Sequence, residues 1–199
     1  QRIMAENKAQ KAKTGYKLYE HFNARIKAED SMREKCRRKG LPETEQSALK
    51  VIRDSIGLRI ICGFVDDIYR LVELIRNYED CKIVTEKDYI LHAKPNGYRS
   101  LHLIVRTPIF TEVGKKMMYV EVQIRTIAMD FWAALEHKLR YKKKLSAEQI
   151  EALQKELSIC AEECADLDRR MEYVRSQIVP LELPDPDNEY KEGTSDDSF

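Results

Sequence analysis

From Ser146 to Ile178 the chain repeats one pattern without a break. Ile150, Leu153, Leu157, Cys160, Cys164, Leu167, Met171, Val174 and Ile178 recur at spacings of three and four, the heptad seam of an amphipathic helix. Ser146, with Gln149 three residues on, makes a capping box at its start. At ~1.5 Å per residue the helix is roughly 45–50 Å long. That is too long to lie wholly on a domain this small without a second surface. A partner subunit is the favoured second surface. A single amphipathic helix folded across its own domain is the alternative. Cys160 and Cys164, four apart, read as small apolar packers.

After this helix comes PLELPDPDNEYKEGTSDDSF, with three prolines in its first seven residues. It reads as a disordered acidic tail over 180–199. The tail holds seven acids and one base, so a chain of net charge +1 carries +7 over residues 1–179. A basic body suits an anionic partner such as phosphate or nucleic acid, although a solvated charged surface accounts for the same balance. Five cysteines, odd in number and without a CxxC pair, argue against disulfide frameworks and zinc knuckles and for a reducing cytosol. No run of 18 apolar residues and no secretory leader is read, so neither a membrane span nor export is expected.

Between Leu49 and about Arg140 the pattern alternates. SIGLRIICGF, LHLIVRTPIF and KMMYVEVQIRT read as strands. DDIYRLVELIRNYED reads as a helix with Ile68, Leu71, Val72 and Ile75 on one stripe. Thr126 caps a further helix, IAMDFWAALEHKLRYKK. Mixed strands and helices in this order predict an α/β or α+β fold around one sheet. The part before Gly40 reads as helical, with RRKG as a basic helix end and its stop glycine.

In YVEVQIR, alternate side chains share a face. Val120, Val122 and Ile124 go to the core; Tyr119, Glu121, Gln123 and Arg125 point the other way. Plain solvent surface would explain that mixture too. Arg59, inside the apolar strand SIGLRIICGF, needs a carboxylate or a phosphate, because burying it unpaired is costly. Asp54, at the mouth of that strand, and Glu121 together offer hard oxygen ligands for Mg²⁺, with Arg59 left to hold the phosphates.

In KPNGYRSLH, Pro95-Asn96-Gly97 makes a turn. Tyr98, Ser100 and His102 then share a face if strand pairing starts early. Tyr98 offers a ring for a base, with Lys94 and His102 in reach of phosphate or ribose oxygens. A core ring at Tyr98 and a satisfied strand histidine at His102 fit these residues equally well. In ARIKAEDSMREKCRRKG, Arg25, Lys27, Ser31, Lys35 and Arg38 can line one side of a helix and its start. This is either a solvated face or a patch suited to a triphosphate.

In this order, RIK with Ser31, Lys35 and RKG, then DSIGLRI, KDYI with KPNGYRSLH, VEVQIRT and LEHKLRYK closely resemble the synthetase domain of the RelA/SpoT-type alarmone synthetases. The resemblance covers roughly residues 20–145. No His-Asp pair is present, so the small, stand-alone class is expected. The resemblance implies an α+β fold, a mixed sheet flanked by helices like that of nucleotidyltransferases. It implies a catalytic domain over 1–145, with the helix over 146–179 serving assembly as a homo-oligomer, a tetramer by preference, in the cytoplasm. The implied reaction moves the β,γ-diphosphate of ATP to the 3′-hydroxyl of GDP or GTP, giving AMP and ppGpp or pppGpp in the stringent response. Asp54 and Glu121 would hold Mg²⁺, with Glu121 also drawing the proton from the 3′-hydroxyl. Arg25, Lys27, Ser31, Lys35, Arg38 and Arg59 would grip ATP. Tyr98 would stack on guanine, with Lys94, Asn96, His102 and Gln123 completing the acceptor site. A related diphosphotransferase acting on tRNA, or a non-catalytic nucleotide- or RNA-binding regulator, are the alternatives.

Overall fold

One mixed sheet of five strands organises the chain, in the order β1-β2-β5-β4-β3. In sequence the elements are α1 (Arg2–Thr14), β1 (His21–Ile26), α2 (Glu29–Arg38), β2 (Ile56–Cys62), α3 (Val65–Arg76), β3 (Lys82–Asp88), β4 (Leu101–Thr111), β5 (Gly114–Thr126), α4 (Ile127–Arg140) and α5 (Ala147–Ile178). The structure is a computed structural model describing residues 2–44, 46–47, 52–112, 114–140 and 146–178. The α+β expectation holds. The tail over 180–199 lies outside the described residues, and among those described no helix is long and apolar enough to cross a membrane.

β3, β4 and β5 form an antiparallel meander, and β5 then pairs in parallel with β2. A parallel pair needs a long crossover, and part of the chain between them, α3, covers the sheet. Its predicted stripe of Ile68, Leu71, Val72 and Ile75 is buried. It packs with Ile60, Cys62, Leu101, Leu103, Val105, Val120, Val122 and Ile124 in one core. That core takes one face of the central strands and leaves the other open.

Two expectations for the N-terminal half are corrected. HFNARI, read as helical, is the edge strand β1, antiparallel to β2; Arg25 therefore sits on a strand. KIVTEKD, not anticipated as a strand, is the opposite edge, β3. The stop glycine is as expected: Gly40 takes a φ of +65° just past α2, a conformation that suits glycine.

The long helix forms with its capping box. Ser146 N donates to Gln149 Oε1 at 3.0 Å, and Gln149 N to Ser146 Oγ at 3.2 Å. It does pack across its own domain, but not through the heptad seam. Ala161, Ala165 and Asp168 are buried, with Glu172 and Arg175 half-buried below them. Each of these lies one residue beyond a seam position. The seam itself stays largely open, from Ile150 at 39% exposure to Ile178 at 67%, and Cys160, expected as a packer, is exposed. Small residues allow the close approach, and directional bonds set the helix's rotation. Thr126 Oγ1 donates to Asp168 Oδ2 at 2.7 Å. Arg175 reaches Asp67 at 3.1 Å and lies 4.1 Å from the Phe64 ring centroid.

Candidate active site

Residues opposite one another in a sheet point to the same side, so the register assembles the site. One row across all five strands reads Asn23, Arg59, Gln123, His102, Lys87. The row two residues along reads Arg25, Gly57, Glu121, Ile104, Thr85. Both lie on the face away from the core, as the alternation in YVEVQIR predicts. A cavity of about 300 Å³ opens here, lined by Asn23, Arg25, Gly57, Arg59, Glu121 and Gln123 among others. Gly57 keeps its floor low: a Cβ there would meet Arg25 Nε at 3.5 Å.

Asp54 stands just ahead of β2, where two lysines meet it. Lys27, between β1 and α2, reaches its Oδ2 at 3.1 Å, and Lys35 of α2 pairs with the same oxygen. Burial raises the Asp54 pKa, but the hydrogen bonds from Lys35 and Lys27 outweigh it, and the carboxyl ends below its ordinary value. Its other oxygen, Oδ1, is buried and has no hydrogen-bond partner among the described residues. Glu121 Oε2 accepts from Gln123 Nε2 at 3.4 Å. Among the described residues no three His, Cys, Asp or Glu side chains gather as a metal cluster. Magnesium is commonly held by one or two carboxylates with substrate phosphates completing its shell. A buried carboxylate oxygen lacking a partner among the described residues fits that role.

The KPNGYRSLH segment lies beside the cavity, its His102 paired with Gln123 across β4 and β5. Gly97, at φ +86°, closes the turn by donating to Lys94 O at 2.8 Å. Asn96 Oδ1 accepts Tyr98 N at 3.3 Å. Beyond the turn, Tyr98 and His102 do share a side, with Tyr98 Oη 2.8 Å from His102 Nε2. The Tyr98 ring is not bare: Lys94 Nζ lies 4.6 Å from its centroid, and an edge contact with Trp132 spans 6.5 Å. Ser100 is fully buried and binds Ile124 O. Burial, followed by the charges of Arg125, Lys94 and Lys87, pushes the His102 imidazole down to about 4.

The structure thus brings Arg25, Arg59, Glu121 and Gln123 to one cavity, seats His102 beside Gln123, and places Lys27 and Lys35 on Asp54. Ser31 and Arg38 stay exposed on α2 and do not line the cavity. Sequence reasoning missed Asp130, in the first turn of α4. Its Oδ1 accepts Arg125 Nη1 at 3.2 Å and lies 3.7 Å from Arg59 Nη1. It also missed Asn23, since β1 was not read as a strand.

The description "Region found in RelA / SpoT proteins" matches residues 24–146. The chain belongs to the RelA/SpoT family. It is 43% identical over 164 residues to GTP pyrophosphokinase YwaC of Bacillus subtilis, covering 82% of this chain and 77% of that protein. It is 40% identical over 159 residues to GTP pyrophosphokinase YjbM of the same organism, covering 80% and 73%. The crystal structure of small alarmone synthetase 1 from Bacillus subtilis, bound to its product pppGpp, superposes with a TM-score of 0.76 at 35% identity, covering 89% of this chain and 88% of that one. The RelA/SpoT region ends where α5 begins, so the sheet, the cavity and α4 fall almost wholly inside it and the long helix outside.

Proposed function

We propose that this RelA/SpoT protein is a GTP/GDP 3′-diphosphokinase, transferring the β,γ-diphosphate of ATP to the 3′-hydroxyl of GDP or GTP. The observation that carries the reading is the register row that sets Arg59, Gln123 and His102 beside Glu121, on the one open face of the sheet. Its likeness to proteins named GTP pyrophosphokinase supports the same choice over a tRNA acceptor or a non-catalytic regulator.

The 3′-oxygen of the acceptor attacks the β-phosphorus. A new O–P bond forms, the bond from the β-phosphorus to the α,β-bridging oxygen breaks, and AMP departs with that oxygen. Glu121 takes the proton of the 3′-hydroxyl. Such transfers depend on positioning and charge neutralisation more than on a covalent nucleophile. Arg25 and Arg59 flank the cavity for ATP, and Lys27 and Lys35 exchange Asp54 for incoming phosphates. Ser31 and Arg38 extend that surface along α2. Lys94, Asn96, His102 and Gln123 surround the acceptor, whose base stacks on the Tyr98 ring as Lys94 moves from it to a phosphate. Asp54 and Glu121 would hold Mg²⁺, which when bound neutralises charge on the transferred phosphates.

Three finer points complete the proposal. Residues 1–145 form the catalytic body, and 146–179 serve assembly, a homotetramer by preference, through the exposed seam of α5. The cytoplasm is the working compartment, in keeping with five free cysteines. One assay tests the core of the proposal: labelled ATP offered with GDP, GTP or tRNA. Label on the free guanosine nucleotide supports it. Label on tRNA alone, or on none, overturns it.

A further inference from the structure

We infer that Arg125, Tyr98 and His102 form a directed hydrogen-bond chain that aims His102 Nδ1 at Glu121, making the Tyr98 hydroxyl a positioning group for that carboxylate. The inference rests on the proposed role of Glu121, but its geometry stands apart from it. Arg125 is 6% exposed at its side chain, and each contacting nitrogen has a fixed use. Nη1 donates to Asp130 Oδ1 at 3.2 Å, Nε to Ser100 Oγ at 3.3 Å, and Nη2 to Tyr98 Oη at 2.6 Å. A guanidinium only donates. Tyr98 Oη therefore accepts from Arg125, which leaves its own hydrogen free for His102 Nε2, 2.8 Å away, and the proposed chain assigns it there.

That assignment sets the tautomer the chain requires. Nε2 accepts, so the neutral ring carries its proton on Nδ1. Nδ1 faces Glu121 Oε1 at 3.8 Å. This is longer than a direct hydrogen bond and within the span of one bridging water. With the ring reversed in tautomer, a lone pair would face the carboxylate and repel it. The ends of the chain are anchored on separate elements: Asp130 on α4, Ser100 just ahead of β4, Arg125 and Glu121 on β5. The hydroxyl of Tyr98 joins them, a role independent of any stacking by its ring.

Two measurements test this. The first is long-range ¹⁵N–¹H NMR of the imidazoles in the ligand-free protein, with His102 assigned by its loss in His102→Gln. Protonation at Nδ1 in the wild type, moving toward Nε2 in Tyr98→Phe, supports the chain. An Nε2–H ring in the wild type overturns it, whether or not the variant folds. So does a tautomer unchanged in a folded Tyr98→Phe. The second is steady-state kinetics of Tyr98→Phe, which keeps the ring. A kcat lowered about tenfold or more, with the KM values for ATP and GDP within about threefold, is the expected split. An unchanged kcat overturns the positioning role. An inactive wild type would instead sink the proposed function and leave the tautomer result standing.

Discussion

Replacing Gly97 by alanine should loosen the protein and the turn that leads to Tyr98 together. Gly97 sits at φ +86°, and a Cβ there would fall 2.4 Å from Ala161 Cβ and 3.3 Å from Ser158 Cα, both on α5. A left-handed backbone costs an L-residue about 1–2 kcal/mol. Forcing a methyl into a packed contact costs about 1–3 kcal/mol more, and the obstacle is a helix rather than the tip of a flexible side chain. The total is about 2–5 kcal/mol, or roughly 5–20 °C of melting temperature for a chain of this length. Lys94, Asn96 and Tyr98 flank the residue, so the same displacement should raise the KM for GDP more than that for ATP. Adding Ala161→Gly removes the steric partner and leaves the backbone strain. The cycle of single and double variants should therefore show a favourable coupling of about 1–3 kcal/mol in denaturant melts. A Gly97→Ala protein that melts with the wild type, or a strictly additive cycle, would refute the contact between turn and helix.

Glu121→Gln, which removes charge but little volume, should lower kcat about a thousandfold or more while the folded spectrum is kept; near-normal turnover in the purified variant would sink its assignment. Leu167, 53% exposed on the seam of α5, tests assembly: Leu167→Asp should give a smaller species by sedimentation with little change in its own melting. An unchanged assembly would place the interface elsewhere. Burial raises the Asp168 pKa and outweighs the opposing bond from Thr126 and charge of Arg99, so the folded state holds this proton more tightly than the unfolded one. Stability from the group is present at low pH and lost as pH rises through the raised value. Asp168→Asn should therefore melt higher relative to the wild type at pH 8 than at pH 4; a pH-independent difference would refute the sign.

What the sequence disclosed follows from where each signal comes from. β5 was legible because one face is buried and the other is not, so Val120, Val122 and Ile124 alternate with polar residues. α3 was legible for the same reason at helical period. β1 carries no such alternation: only Phe22 is half-buried in an otherwise exposed edge strand, and a pattern cannot report burial that is absent. β3 is an edge too, and a register shift between Ile83 and Thr85 breaks its period. Among the site residues, Arg59 announced itself as a cation in an apolar strand, whereas Asp130 is an ordinary acid in a first helical turn until the fold brings Arg125 and Arg59 to it.

The long helix misled in a more instructive way, because hydropathy marks the residues that avoid water and not those that fix a position. Its docked face offers two alanines, an aspartate and, further along, a glutamate and an arginine, none of which stands out in an apolar pattern. Yet the bonds that hold it are spread along its length. Trp132 Nε1 donates to Leu157 O at 2.8 Å, Arg99 to Glu162 at 2.8 Å, Thr126 to Asp168 at 2.7 Å, and Glu172 accepts Asp66 N at 3.0 Å. From Leu157 to Glu172 these span roughly 22 Å of helix. Rotating α5 by about 100° to bury its seam would move all four partners off their donors or acceptors and place larger side chains where Gly97 now meets Ala161. Directional bonds to α4, to the loop that carries Tyr98, to the end of β5 and to the start of α3 thus choose the inner face, and the apolar seam is left facing outward as a consequence of that choice.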